Sequence, residues 1–318
     1  MNKAPIKGLF LFSSLSSNAL DFFFHFRITI KQLNYKEKET MKKTILALAA
    51  ILSVNAYAGT TLDKINSSGK VVLGVRASSA PFSSVQSNGG YDGYAVAICK
   101  DVVSALSKDL KKPLEIEYKE VDTTTRYTLI DSGVIDLECA GSSYNAEKLN
   151  VANYSIHYTD SVLAAAKTGT SIKDLNDLSK ARVGMVGSFS GEKAIRQFFT
   201  DKGVEITESN LQKAQNYDAL FLLLKQKRID AIITNKSILV GEIAKQKDSK
   251  NYVLLENTKI KENDKLGIVS PAKDQEFSNK VKETVKTLYT NGTLEKYSKQ
   301  YFSAPLSTES KRDIADNK

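Results

Sequence analysis

Two successive α/β units, each a mostly parallel sheet with helices on both faces, are what this sequence predicts. Three observations carry the prediction. Short β-rich runs alternate with segments of helical period, the alternation restarts after Tyr158, and the 260 residues that follow the first 58 suffice for one large domain or two lobes with separate cores.

In the first unit, the unbroken β-branched and apolar run Val71 to Val75 reads as a strand. Val96 to Leu110 reads as an amphipathic helix, and Leu114 to Val121, where Leu114, Ile116 and Tyr118 alternate with charged residues, as the next strand. A helix around Thr125 to Asp131 and a strand over Ile135 to Cys139 follow. The second unit opens with a short helix or turn over Ile172 to Leu178, a strand over Arg182 to Val186 and a helix over Gly191 to Lys202. Then come a helix over Tyr217 to Gln226, a strand over Ala231 to Thr234, a helix over Ser237 to Lys247 and a strand over Tyr252 to Leu255. Beyond it lie one more strand, Leu266 to Val269, and a helix with Phe277, Val281, Val285 and Leu288 at spacings of three and four. Asn291-Gly292 ends that helix, and Thr293 caps a last one with Tyr297 and Tyr301 on one side. Residues 304–318 are polar and charged, so a frayed tail is expected there.

The N-terminal part predicts export. Met41-Lys42-Lys43 is a short cationic head, Thr44 to Val54 an apolar run too brief to span a bilayer, and Ala56-Tyr57-Ala58 a small-residue cleavage signal. Such signals act from an N-terminus, so Met41 is the expected start, residues 1–40 fall outside the mature protein, and cleavage follows Ala58. The competing reading, a membrane segment from Leu9 to Ile30, is interrupted by Asp21, His25 and Arg27, which are costly in lipid.

Residues 1–58 hold 8 basic and 3 acidic side chains, so removing them lowers the formal charge from +9 to +4. The remaining lysines are scattered among acids like a solvated surface, which gives no reason to invoke nucleic acid. Cys99 and Cys139 are the only cysteines; an exported protein can join them, and two buried free thiols are the equal alternative. Two cysteines and one mature histidine, His157, have no metal-ligand spacing, and no cofactor motif is present.

An ordered set of segments then becomes recognisable. Gly74 to Ser83 with its Arg76 and Pro81, Tyr91-Asp92-Gly93-Tyr94 before a helix, Asp136 to Gly141, and Tyr154 to Tyr158 are followed by Asp174 to Leu178 and Asn291 to Leu294. Together, over about Leu62 to Phe302, they resemble the periplasmic solute-binding proteins of polar amino-acid ABC transporters, the bacterial extracellular solute-binding proteins of family 3. The Arg76 loop and Glu138-Cys139 look most like the glutamate/aspartate-binding branch.

The resemblance implies a type II fold, two α/β lobes joined by two crossover hinge strands that close over a ligand in the cleft. Lobe one would comprise residues 59–160 and 264–302 and lobe two residues 164–255, with hinges near Ser161 to Leu163 and Asn257 to Glu262. It also implies a small-molecule ligand, an acidic amino acid or a related dicarboxylate, delivered in the periplasm by a monomeric receptor to an ABC permease.

Arg76 ends the first strand, where loops at the carboxyl edge of a parallel sheet line a cleft. By resemblance, with Ser78 beside it, it meets the ligand's side-chain carboxylate, to which a guanidinium fork is suited; the plain alternative is a surface Arg held by a local acid. Arg126 with Thr123 matches a second contact to the same anion. A cation in a first helical turn is locally unfavourable, so a compensating anion is wanted there. Backbone N–H groups and hydroxyls of Gly141, Ser142 and Ser143 would hold the ligand's α-carboxylate or ammonium; a Ser-rich turn is the bland alternative. Tyr217 falls at a polar contact to the distal carboxylate, though an aromatic at helical spacing is also ordinary core.

Three positions depart from the family. Lys148 stands where an arginine takes the α-carboxylate, and it cannot form the planar two-bond pair. Asn235 stands where an aspartate neutralises the α-ammonium. Ser188-Phe189-Ser190 replaces a Gly-Thr-Thr type turn. Enclosing an ammonium without a counter-ion is costly, so either Glu138 or Asp218 substitutes, or the cleft suits a dicarboxylate without an amino group. No catalytic set stands out. The contrasting class is an enzyme like the periplasmic cyclohexadienyl dehydratases on the same fold, with Glu138 as its acid or base.

Overall fold

The computed structural model describes residues 60–316; the segment at 1–40 and the export signal at 41–58 lie outside them. Helix α1 (Thr61–Ser68) begins at a capping box, in which the Thr60 side chain accepts from Asp63 N and the Asp63 side chain from Thr60 N. It leads into β1 (Lys70–Val75). Strands β2 (Ser78–Ser79), β3 (Ser83–Val85) and β4 (Tyr91–Asp92) form a small antiparallel sheet over the loop after β1. Helix α2 (Tyr94–Asp109) follows and buries Tyr94, Ile98, Cys99, Val102, Val103 and Leu106. Then come β5 (Glu115–Glu120), α3 (Arg126–Asp131) and β6 (Leu137–Ser143). β1 lies parallel between β5 and β6, with Leu73 opposite both Tyr118 and Leu137.

β7 (Ala152–Lys167) crosses to the second unit, which contains α4 (Leu175–Leu178), β8 (Val183–Val186), α5 (Glu192–Asp201) and β9 (Leu211–Ala214). α6 (Tyr217–Lys225), β10 (Ala231–Asn235), α7 (Lys236–Lys245) and β11 (Tyr252–Leu255) complete it. β12 (Lys261–Pro271) returns to the first unit, followed by α8 (Gln275–Thr290), α9 (Thr293–Phe302) and α10 (Thr308–Ala315). The strand order is β5-β1-β6-β12-β7-β10-β8-β9, with β11 added on β7. Each unit has a parallel core, and the two are stitched through antiparallel β7 and β12. This is the predicted α/β fold of two lobes and two crossover strands. β7 changes partner at Val162, which faces Lys261 of β12 and Asn235 of β10.

Several features were not legible beforehand, and β12 runs over Lys261–Pro271 rather than Leu266 to Val269 because it pairs with β7 along its length. β7 has sixteen residues, and its second half, Val162 to Ala166, is buried with three alanines, a residue depleted in strands. β9 lies in a polar stretch that gives little alternation. β6 does not stop at Cys139 but runs to Ser143, because β12 pairs with Ser142 and Ser143. The C-terminal segment is not a frayed tail: Leu306 and Ile314 are buried, and Ser310 and Asp313 accept hydrogen bonds from Thr159 N and Oγ1, at 2.9 and 2.8 Å.

Cys99 on α2 and Cys139 on β6 form a disulfide across a Cα separation of 6.2 Å, which decides between the two alternatives left by the sequence. Among the described residues no helix is long and apolar enough to cross a membrane.

Candidate ligand-binding site

Arg76 directly follows β1 and is only 7% exposed. Its loop is fixed by Ser83, whose Oγ accepts from Arg76 N and donates to Arg76 O, both at 2.9 Å. The guanidinium Nη2 donates to Glu138 Oε1 and to Ser142 Oγ, each at 3.2 Å. Glu138 on β6 is fully buried, and its Oε2 and the Nε of Arg76 have no hydrogen-bond partner within the protein. Such groups are rare in native interiors and mark places where a further polar partner belongs. A cavity of about 380 Å³ opens here, lined by Arg76, Ser78, Thr123, Val186, Tyr217 and Asp218. Ser78 also donates to Glu242 Oε2, at 3.4 Å.

Arg126 comes from α3; it does not itself line that cavity but adjoins it through Thr123. Asp122 holds the turn before it, Oδ1 accepting from Thr124 N and Thr125 N at 2.8 Å each. The Arg126 side chain is 2% exposed; Nη1 donates to Thr123 O at 2.5 Å, and Nη2 donates across the cleft to Ser188 O at 3.3 Å and Ser190 Oγ at 3.1 Å. These partners are neutral oxygens, so the anion expected beside this first-turn cation is not a carboxylate of the described residues. Arg126 Nε and Thr123 Oγ1 are buried without partners. The guanidinium lies 4.5 Å from the Tyr127 ring centroid, a cation–π contact. Tyr127 was not anticipated, since an aromatic inside a short helix gives no signal of its own.

Lys148 is exposed, with its Nζ 5.6 Å from the same ring, on a neighbouring groove that it shares with Ser188, Phe189 and Ser190. It does not line the Arg76 cavity. Phe189 turns its ring into the core of the second lobe and is 7% exposed, and a Cβ at Gly191 would lie 2.5 Å from that ring. The departure at Phe189 is therefore largely a packing choice.

Tyr217 is both core and cavity wall: it is 2% exposed, and its hydroxyl shares a 2.8 Å hydrogen bond with Thr234 Oγ1. Burial pushes its pKa up, against the opposing pull of Arg76. Gly141 sits at φ +68° inside β6, where a Cβ would come within 2.7 Å of the Phe82 ring. That left-handed residue lets the strand bulge and brings Ser142 to Arg76. Ser143 turns elsewhere, its Oγ donating to Asp264 Oδ2 at 2.6 Å, and Asn235 Nδ2 donates to the same oxygen at 2.7 Å. Asp264, fully buried on β12, had no sequence signal; it meets Ser143 only through strand pairing across 121 positions. Of the acids considered as substitutes for an aspartate at 235, Glu138 is engaged by Arg76 and Asp218 is exposed. Among the described residues no cluster of His, Cys, Asp or Glu is arranged to hold a metal.

Two buried arginines with unpartnered Nε atoms stand where the two α/β lobes face each other. Residues 71–304, most of the chain, match a family model of solute-binding proteins. The chain belongs to the bacterial extracellular solute-binding proteins, family 3. This solute-binding protein is 27% identical over 265 residues to the L-glutamate/L-aspartate-binding protein of Pseudomonas aeruginosa, covering 81% of this chain and 86% of that one. It is 25% identical to an arginine-binding extracellular protein of Bacillus subtilis, covering 83% and 99%. A histidine-bound substrate-binding protein of an ABC uptake transporter from Streptococcus pneumoniae shares the fold, with a TM-score of 0.69 at 17% identity, covering 79% of this chain and 99% of that one.

Proposed function

We propose that this solute-binding protein captures an acidic amino acid, glutamate or aspartate, in the periplasm as a monomer and delivers it to the permease of an ABC importer. The observation that carries the reading is the pair Arg76 and Arg126, both buried, with Thr123, which lines the Arg76 cavity and accepts from Arg126 through its carbonyl, offering an unpartnered hydroxyl. A guanidinium taken out of water is stabilised by a carboxylate held in fork geometry. Arg126, whose hydrogen-bond partners are all neutral oxygens, disfavours a basic ligand such as arginine, because like charges in a low-dielectric cleft repel strongly. The glutamate/aspartate name of the Pseudomonas relative supports the choice. Closure of the lobes excludes water and creates the surface that a permease recognises.

Calorimetric titration of the ligand-stripped protein with glutamate, aspartate, glutamine, arginine, glutarate and succinate tests this reading. Glutamate or aspartate is expected to bind most tightly. Arg76→Ala and Arg126→Ala should each weaken binding at least a hundredfold while the protein stays folded. Normal binding by both variants overturns the site assignment; binding of succinate or glutarate alone moves the ligand to a plain dicarboxylate, the reading that the uncharged Asn235 favours.

A further inference from the structure

We propose that Asp264 is the specificity-determining counter-ion for the ligand's α-ammonium, acting through Asn235 and Ser143, and so restores the charge that position 235 lacks. The inference rests on the reading that the ligand is an α-amino acid held between the lobes.

Asn235 ends β10 in the second lobe, and Ser143 ends β6 in the first. Their side chains converge on one carboxylate oxygen, Asp264 Oδ2, at 2.7 and 2.6 Å. All three residues are at most 4% exposed. With Nδ2 donating to Asp264, Asn235 presents its carbonyl Oδ1 as an acceptor; with its hydrogen donated to Asp264, the Ser143 hydroxyl presents lone pairs. An ammonium seated on these two acceptors has three donors to share, and the carboxylate behind them polarises both relays in its favour. Asp264 is a positioning residue that contributes charge at one remove.

Asp218, which lines the Arg76 cavity, is exposed to solvent, and three further acids are differently engaged. Glu138 is matched by Arg76, whose side chain is 9% exposed, so that pair is nearly neutral towards its surroundings. Asp264 is paired with Lys261 through Oδ1, but that lysine is 35% exposed, and solvent screens its charge. The other Asp264 oxygen, Oδ2, is left to Asn235 and Ser143. Asp160 accepts from the backbone N–H groups of Ser161 and Ser237, and Glu242 from that of Ala80 and the Lys245 ammonium.

The test compares each amino acid with its amino-free analogue by titration of the ligand-stripped protein and its variants: glutamate with glutarate, aspartate with succinate, and the same pairing for glutamine or arginine. Wild type should favour the amino acid. Asp264→Asn should lower that affinity at least tenfold and leave the analogue unchanged, and Asn235→Asp added to it should recover most of the preference. Asn235→Asp alone should not tighten amino-acid binding, because it sets a second carboxylate against Asp264. Equal loss for both members of a pair overturns the proposal, as does a tenfold gain in Asn235→Asp, which decides alone if Asp264→Asn does not fold. Glu138→Gln reproducing the Asp264→Asn ratio also overturns it, as does failure of every amino acid on the panel to bind. A neutral or basic amino acid binding in place of glutamate sinks only the acidic reading, and its own pair then decides the role of Asp264.

Discussion

His157 shows how much one buried residue can determine. It is fully buried with both ring nitrogens unpartnered, and the rings of Tyr94 and Phe82 lie 5.4 and 6.1 Å from its own. Burial pushes its pKa down from 6.5 to about 3. The unfolded chain therefore binds a proton between those values that the folded protein refuses, and stability falls as pH drops through that window, at about 1.4 kcal/mol per unit. Asp160, held up at about 6 by burial, opposes this below its own value, because there the folded state binds the extra proton. His157→Phe should flatten the acid limb of a stability-against-pH curve measured by denaturant melts; an unchanged slope refutes the assignment. At this scale the sequence was partly legible. Arg76 and Arg126 could be placed at a strand end and a helix start because those are local features, whereas Asp264 was hidden because its partners Ser143 and Asn235 come from other strands.

Among the elements, α10 is the one whose composition misled. Two of its polar residues are not solvated: Ser310 and Asp313 are buried by hydrogen bonds to Thr159 on the crossover strand β7, and a buried polar group that is fully bonded carries little penalty. Lys265 on β12 adds an ion pair to Asp313 at 3.3 Å, so α10 fastens onto both crossover strands. Ile314, 1% exposed, supplies the apolar anchor. Ile314→Ala should cost about 2–4 kcal/mol, measured as a loss in denaturant midpoint. A surface-like effect below about 0.5 kcal/mol would mean that the helix is only loosely docked.

For the whole molecule, the contact between the lobes on one side of the cleft is made by α7 and the loop after β2. Glu242 Oε1 accepts from Ala80 N at 2.7 Å, and burial pushes the Glu242 pKa up while Lys245 opposes that. Next to it, a Cβ built on Gly241 would fall 2.5 Å from the Ala80 carbonyl oxygen, a backbone atom that cannot swing aside. Gly241→Ala should therefore hold the lobes apart: ligand affinity drops tenfold or more, while the melting temperature of the ligand-free protein barely changes. Small-angle scattering should show less compaction on ligand addition than in wild type. Full affinity with normal compaction would mean that this contact is not part of closure.

The sequence by itself determined the α/β character, most elements with their ends, and the family, because parallel strands, amphipathic helices and turn chemistry are written in neighbouring residues. It also marked Arg76, Arg126 and Asn235 as candidates. Tertiary structure alone decided that Cys99 joins Cys139, that β6 runs on to Ser143, that β7 and β12 carry the chain between lobes, and that Asp264 stands behind Asn235. Each of these depends on antiparallel pairing or side-chain contact between segments far apart in the chain. Periodicity reports only which face of a segment is apolar, and leaves unstated what that face, or a buried carboxylate beneath it, will meet.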